Sequence, residues 1–174
     1  MIKKKGSTPK WIIYSIGIVL ALAVVLTIIY VIQCQNRDDE FASAKDFFGE
    51  DYDQIFEGNQ VDKDISEPLI RKAEAALSYI GTSEEIKVYG PLSRYCTDIE
   101  NYPTADHAEY SLDILAGNTQ NADGFLWVAY TQEVYDKGGK LLCGSGSEDH
   151  RVLSRWTLKK VDDVWTVTEI KELP

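Results

Sequence analysis

The side chains able to do chemistry are few and scattered. His107 stands beside Asp106 and Glu109, and His150 follows Glu148 and Asp149 in a stretch rich in glycine and serine. A histidine next to a carboxylate can act as a general base. Neither site brings a nucleophile or a second acid with it, so both histidines are expected to be exposed polar residues. Asp51-Tyr52-Asp53 and Asp62-Lys63-Asp64 pair carboxylates as a calcium loop does, but neither continues with the central glycine and closing glutamate of that motif. Gly144-Ser145-Gly146-Ser147 sets a serine between glycines without the full flanks of a nucleophile elbow, and it does not join a strand to a helix. Cys34, Cys96 and Cys143 form neither a CxxC pair nor a cluster with histidine, which argues against structural zinc. Phosphate-loop, dinucleotide and HExxH patterns are absent. No catalytic, cofactor-binding or metal-binding residue is assigned, and no cofactor is expected.

What organises the chain is the run from Trp11 to Ile32, 22 residues without a charge. At about 1.5 Å per residue a helix of this length spans roughly 33 Å, enough for a hydrocarbon core of about 30 Å. In lipid such a run must be helical to satisfy its own backbone. Lys3, Lys4, Lys5 and Lys10 precede it, whereas Asp38, Asp39 and Glu40 soon follow. This bias expects an uncleaved anchor through residues 11–32, a cytoplasmic tail over 1–10 and an external C-terminal part. Trp11, Tyr14 and Tyr30 sit where interfacial aromatic rings belong. A cleaved signal peptide has a shorter apolar core, and Gln33 before Cys34 spoils a lipoprotein site. A buried soluble helix would carry more polar residues than Ser15 and Thr27. Gly17 and Ala21 have the spacing of a close helix–helix contact, a pattern that plain lipid-facing filler also produces.

Of the 18 basic residues, four precede the run, while all 28 acidic residues follow it, so the part beyond carries a net charge of −14. That argues against nucleic acid as a partner, since phosphate contacts need a basic face. It permits a basic protein partner or simply a solvated acidic surface. In an exported domain Cys96 and Cys143 are an even pair, and a disulfide between them is one expectation; two unpaired thiols are the other.

After a short linker over 33–37, the external domain over 38–174 reads as helices followed by strands. Phe41, Ala44, Phe48, Tyr52 and Ile55 mark one face of a helix over 37–58, with Gly49 as a point of interruption. Leu69, Ile70, Ala73, Ala76, Leu77 and Ile80 mark a second helix from Ser66 to Ile80, capped by Ser66 and stopped by Gly81. Strands are expected over 86–89, 108–114, 125–135, 140–143, 152–158 and 165–170, with turns at 117–124, 136–139 and 161–164. Short turns mean antiparallel pairing. The fold class is therefore α+β: one transmembrane helix, then two helices packed on one face of an antiparallel sheet of four to six strands. Trp127, Trp156 and Trp165 fall in adjacent strands, either as core or as walls of a ligand cleft.

The closing segment Arg155-Trp156-Thr157-Leu158-Lys159-Lys160-Val161-Asp162-Asp163-Val164-Trp165-Thr166-Val167-Thr168-Glu169-Ile170 resembles the last hairpin of the nuclear transport factor 2-like superfamily. The preceding helices and the hairpin at Asp136 to Gly139 are similar too. The resemblance covers roughly residues 38–172. It implies a strongly curved sheet wrapped against helices, often around a conical pocket. It also implies kinship with membrane-tethered members, such as those of conjugation and secretion machines and of Gram-positive bacteria. Many members are non-catalytic interaction or assembly domains; others are isomerase-like enzymes. No isomerase residue can be carried over to this chain. The expected function is a membrane-anchored interaction domain that binds a protein partner or itself. The alternative is a binder of a small apolar ligand or an isomerase-like enzyme.

Overall fold

The computed structural model describes residues 10–57 and 61–172, with side chains described over 19–32, 40–57 and 61–172. The chain divides into two units, Met1–Asp39 and Glu40–Pro174. Helix α1 (Lys10–Phe41) supplies nearly all that is described of the first unit. Its side chains from Val19 to Ile32 are exposed on every side of the helix, Leu26 at 65% and Leu20 at 61% among them. Among the described residues, no helix is long and apolar enough to cross a membrane. The described side chains cover only part of the uncharged run, and the expectations for Lys3, Lys4, Lys5, Lys10, Trp11, Tyr14, Gly17 and Cys34 lie outside them.

In the second unit, the order is a set of helical segments followed by strands. Past α1 come the single turn Ala42–Ala44, the short helix α2 (Lys45–Phe48) and the 3₁₀ segment Gly49–Phe56. The one continuous helix expected over 37–58 is thus broken. Gly49, at φ +62°, breaks it in the left-handed region that only glycine enters cheaply. Its apolar face survives the break, because Phe41, Ala44, Phe48, Tyr52 and Ile55 are all buried. Helix α3 (Lys63–Leu77) starts three residues before the expected Ser66, since the Asp62 carboxylate accepts from the Asp64 N–H at 3.0 Å and takes the cap. It stops at Leu77, so Ile80 and Gly81 fall not in the helix and its cap but in strand β1 (Ile80–Gly81).

The strand expected over 86–89 is instead the start of a 3₁₀ segment, Glu85–Tyr95. Thr82 and Glu85 explain this: the Glu85 carboxylate accepts from the Thr82 N–H at 2.8 Å and from its hydroxyl at 2.9 Å, a local closure that starts a helical turn. This segment leads into β2 (Thr97–Asp98), which pairs parallel with β1. The main sheet is antiparallel, curved and five-stranded: β3 (Ala105–Gln120), β4 (Asp123–Asp136), β6 (Val152–Val161) and β7 (Val164–Glu172) in that order, with β5 (Leu141–Ser145) on the far half of β4. The region expected as a long turn over 117–124 is mostly strand, the turn shrinking to Asn121 and Ala122. The turns at 136–139 and at Asp162–Asp163, both with positive φ, stand as expected.

Helices cover both faces of this sheet, not one. On β4, Leu126, Val128 and Tyr130 enter a core with Leu69, Ala73, Leu77, Leu92 and Tyr95. The intervening Trp127 and Ala129 enter a second core with Phe41, Phe48, Tyr52 and Ile55. Successive strand residues point to opposite faces, so the apolar run Leu126–Tyr130 feeds two cores at once. A strand with only one buried face would alternate apolar and polar residues. Gly117, paired with Leu126, has no room for a side chain: a Cβ there would lie 2.6 Å from Leu126 Cδ2, 2.7 Å from Val61 Cγ2 and 2.9 Å from the Phe125 carbonyl oxygen. We expect Gly117→Ala to lose about 1–3 kcal/mol of stability by overpacking, read by urea unfolding; an unchanged midpoint would contradict this packing.

Candidate functional site

The richest cluster of polar groups lies where β7 ends against the 3₁₀ segment Glu85–Tyr95. Ser154 and Trp156 leave β6 on the same face, and Tyr95 arrives from the other side. The Trp156 Nε1–H donates to the Tyr95 hydroxyl at 2.8 Å and lies 3.1 Å from Ser154 Oγ. The Tyr95 hydroxyl donates to Glu172 Oε1 at 2.8 Å and lies 3.0 Å from Ser154 Oγ. The Tyr130 hydroxyl reaches Glu172 Oε2 at 3.5 Å, and Arg94 Nη2 pairs with the same oxygen at 2.9 Å. The Glu172 side chain is 5% exposed and that of Arg94 45%. A carboxylate taken out of water needs such a set of donors, because its desolvation cost is otherwise not recovered. With both oxygens occupied, Glu172 is arranged to hold β7, β4 and the 3₁₀ segment together. It lines none of the four clefts described below.

Burial first, and then the Glu172 charge, push the Tyr95 hydroxyl well above its ordinary value of 10.0; Tyr130 moves the same way for the same causes. Both remain protonated donors in the fold.

Beside this cluster, a cleft of about 290 Å³ opens between the 3₁₀ segment, β2 and the far halves of β4 and β5. Arg94, Cys96, Asn101, Tyr102, Gln132 and Cys143 contribute to its lining. The Gln132 Nε2 amide donates at 2.7 Å to the Leu77 carbonyl and at 2.7 Å to the Tyr95 carbonyl, tying the sheet to α3 and to the 3₁₀ segment. Burial pushes the Cys96 thiol up to about 11. The Tyr102 hydroxyl is hydrogen-bonded to Cys143, which raises the tyrosine's pKa. Cys96 and Cys143 stand unbonded, both half-buried, on this one cleft.

A second cleft, of about 440 Å³, is lined by Glu40, Phe41, Ser43, His150, Arg151 and Leu153 among others. Its cation is already committed. Arg151 Nε and Nη2 grip the two Glu40 oxygens at 2.7 and 2.9 Å, and Nη1 meets Asp113 at 2.7 Å. The guanidinium's pKa is raised by the Glu40 hydrogen bond first. Two further clefts lie at hairpin ends, one beside Asn121 and Phe125, the other beside Thr104 and Lys137.

The sequence candidates disperse. His107 is exposed and stacked on Tyr135 at 5.4 Å, while His150 sits in the turn paired with Ser147, so the two histidines belong to different places. Asp51 pairs with Arg155 at 3.5 Å, and Asp62 is the α3 cap. Among the described residues, no three potential metal ligands come together. Trp127 and Trp156 are fully buried, and Trp165 is half-buried against the first core. None of the three lines a cleft described here. The Tyr95–Glu172 cluster has no local sequence signal, because Glu172 lies 77 positions from Tyr95 and further still from Arg94. The one local signal was Ser154, a hydroxyl on the apolar face of β6.

No protein-family model matches this chain, and no curated protein matches it in sequence.

The two buried tyrosines make the stability of the fold depend on pH at the alkaline end. The unfolded chain loses these protons near pH 10.0 while the folded chain keeps them. Above that pH the unfolded state binds fewer protons, so the stability present below it falls as pH rises. The slope is about 1.4 kcal/mol per pH unit for each tyrosine at most. Tyr130→Phe should flatten the decline in urea unfolding measured from about pH 9 to about pH 11; a slope equal to that of the unchanged protein would contradict the arrangement.

Proposed function

We propose that the chain is a single-pass membrane protein whose α+β unit works outside the cell membrane as a non-catalytic interaction or assembly domain. The observation that carries this reading is the bare apolar surface of α1 from Val19 to Ile32. A helix apolar all round is at home only where something apolar covers it. The uncharged run of 22 residues around it, the four lysines before it and the three acids after it fit a lipid bilayer with the N-terminus inside.

The packed sheet supports the second half of the reading. Trp127, Trp156, Leu126, Val128 and Leu158 fill both faces, where an isomerase-like site would need an apolar hollow beside an available carboxylate. Glu172 is a buried carboxylate, but Tyr95, Tyr130 and Arg94 hold its oxygens. Binding is then the work of the surface, and a net charge of −14 beyond the run suits a partner with a basic face or a self-association that spares the acidic side chains. The likeness of the last hairpin to nuclear transport factor 2-like domains points the same way.

Fractionation of cells making the full chain tests this. The chain should stay in the membrane pellet through alkaline carbonate, lose its C-terminal unit to protease added outside, and bring a partner or a second copy with it from mild detergent. Recovery in the soluble cytosol, or digestion from the inner face alone, would overturn the topology. A lone monomer in detergent would overturn the assembly role.

A further inference from the structure

Cys143 lies in the middle of β5 and is the register partner of Val134. Directly paired residues of two strands project to the same face, as do residues two apart on one strand. The Cys143 side chain therefore leaves the sheet on the face of Val134 and Gln132. That face is where the Gln132 amide reaches the Tyr95 carbonyl at 2.7 Å, and Cys96 is the next residue along. Both thiols open onto the same cleft of about 290 Å³. Tyr102 lines that cleft too.

We infer that Cys96 and Cys143 are a dithiol pair that closes to a disulfide across this cleft when a disulfide oxidant reaches it. The oxidant is a low-molecular-weight disulfide or the exposed disulfide of a thiol oxidoreductase. The supply of such an oxidant rests on the outward placement proposed above; the pairing of the two sulfurs does not. In the first step the Cys143 thiolate attacks one sulfur of the oxidant and expels the other as a thiolate, leaving a mixed disulfide. In the second, Cys96 gives up its proton and its sulfur attacks Cys143 Sγ, releasing the second oxidant thiol. Two protein thiols lose two electrons and two protons, and one oxidant disulfide becomes two thiols. Cys96 is placed second because burial pushes its thiol up to about 11 and so disfavours its thiolate.

The bridge would fasten the shortest strand of the main sheet. β5 has five residues and pairs only with the far half of β4, with a register slip between Val134 and Tyr135. Tied to Cys96, it is joined to the start of β2 and to the segment that carries Tyr95 and Arg94.

The test uses the full chain in detergent with Cys34→Ser, so that the pair are the only thiols. It is equilibrated with reduced and oxidised glutathione, then alkylated and mapped by mass. The inference expects both alkylation sites to vanish together, one peptide pair to be joined through Cys96 and Cys143, and the thermal midpoint to rise until dithiothreitol reverses it. Cys143→Ser should leave Cys96 largely unglutathionylated. The inference is overturned if each thiol takes up glutathione independently, or if the only links formed run between chains. The unsubstituted chain, mapped in the same way, guards against an effect of the Cys34 change. Thiols found reduced in intact cells despite a bridge formed in detergent would count against the outward placement and leave the pairing standing.

Discussion

Five consecutive apolar residues in the middle strand decide this architecture. Leu126, Val128 and Tyr130 pack under α3 and the segment Glu85–Tyr95, while Trp127 and Ala129 pack under the broken helix that follows α1. Neither face of β4 is left to water over this stretch, so the sheet is the middle of three layers. The polar groups able to meet a partner are therefore displaced to the rim, the hairpin ends and the clefts beside β2 and β5. Among the described residues, Leu126 to Tyr130 are all buried, so both sheet faces are spent on packing over this stretch.

The second constraint is electrostatic and sits at the end of the last strand. Glu172 is buried with Arg94, Tyr95 and Tyr130 around it, and Tyr95 passes the contact on to Ser154 and Trp156. Such a cluster holds only when every member is present, because a buried carboxylate deprived of one donor keeps its desolvation cost. It joins β4, β6 and β7 to the 3₁₀ segment Glu85–Tyr95, which is kinked at Gly90. The Arg151 fork on Glu40 and Asp113 does similar work at the opposite end of the unit's sequence, fixing its first residues to β3 and to the chain entering β6.

Much of this was legible in the residues. The apolar faces of both helical regions, the strands over 108–114, 125–135 and 165–170, and the tight turns at 136–139 and 161–164 follow from periodicity and turn chemistry. What periodicity missed has physical reasons. Ile86–Tyr89 looks like a strand because two β-branched residues alternate, but the Thr82–Glu85 closure acts first and starts a helical turn. Ser66 is a good cap and marks an expected start of α3, yet Asp62 caps equally well and lies earlier. Chain order is not layer order here: the helical segments all precede the main sheet in sequence, yet they cover both of its faces. The sign of two-sided burial was present in Leu126–Tyr130, which does not alternate at all. The Tyr95–Glu172 cluster had no local signature, since long-range pairing alone assembles it. The even count of external cysteines suggests a pair, but that Cys96 and Cys143 share a cleft depends on the β4–β5 register.

Both faces of β4 are core. Trp127 and Trp156 report on the two faces separately, so the deciding measurement is the unfolding free energy of Trp127→Ala beside that of Trp156→Ala, by urea denaturation of the full chain. If the sheet is a middle layer, each substitution removes a fully buried indole and costs about 3–5 kcal/mol. If helices covered one face alone, Trp127→Ala would change stability by no more than about 0.5 kcal/mol, and the account would fail.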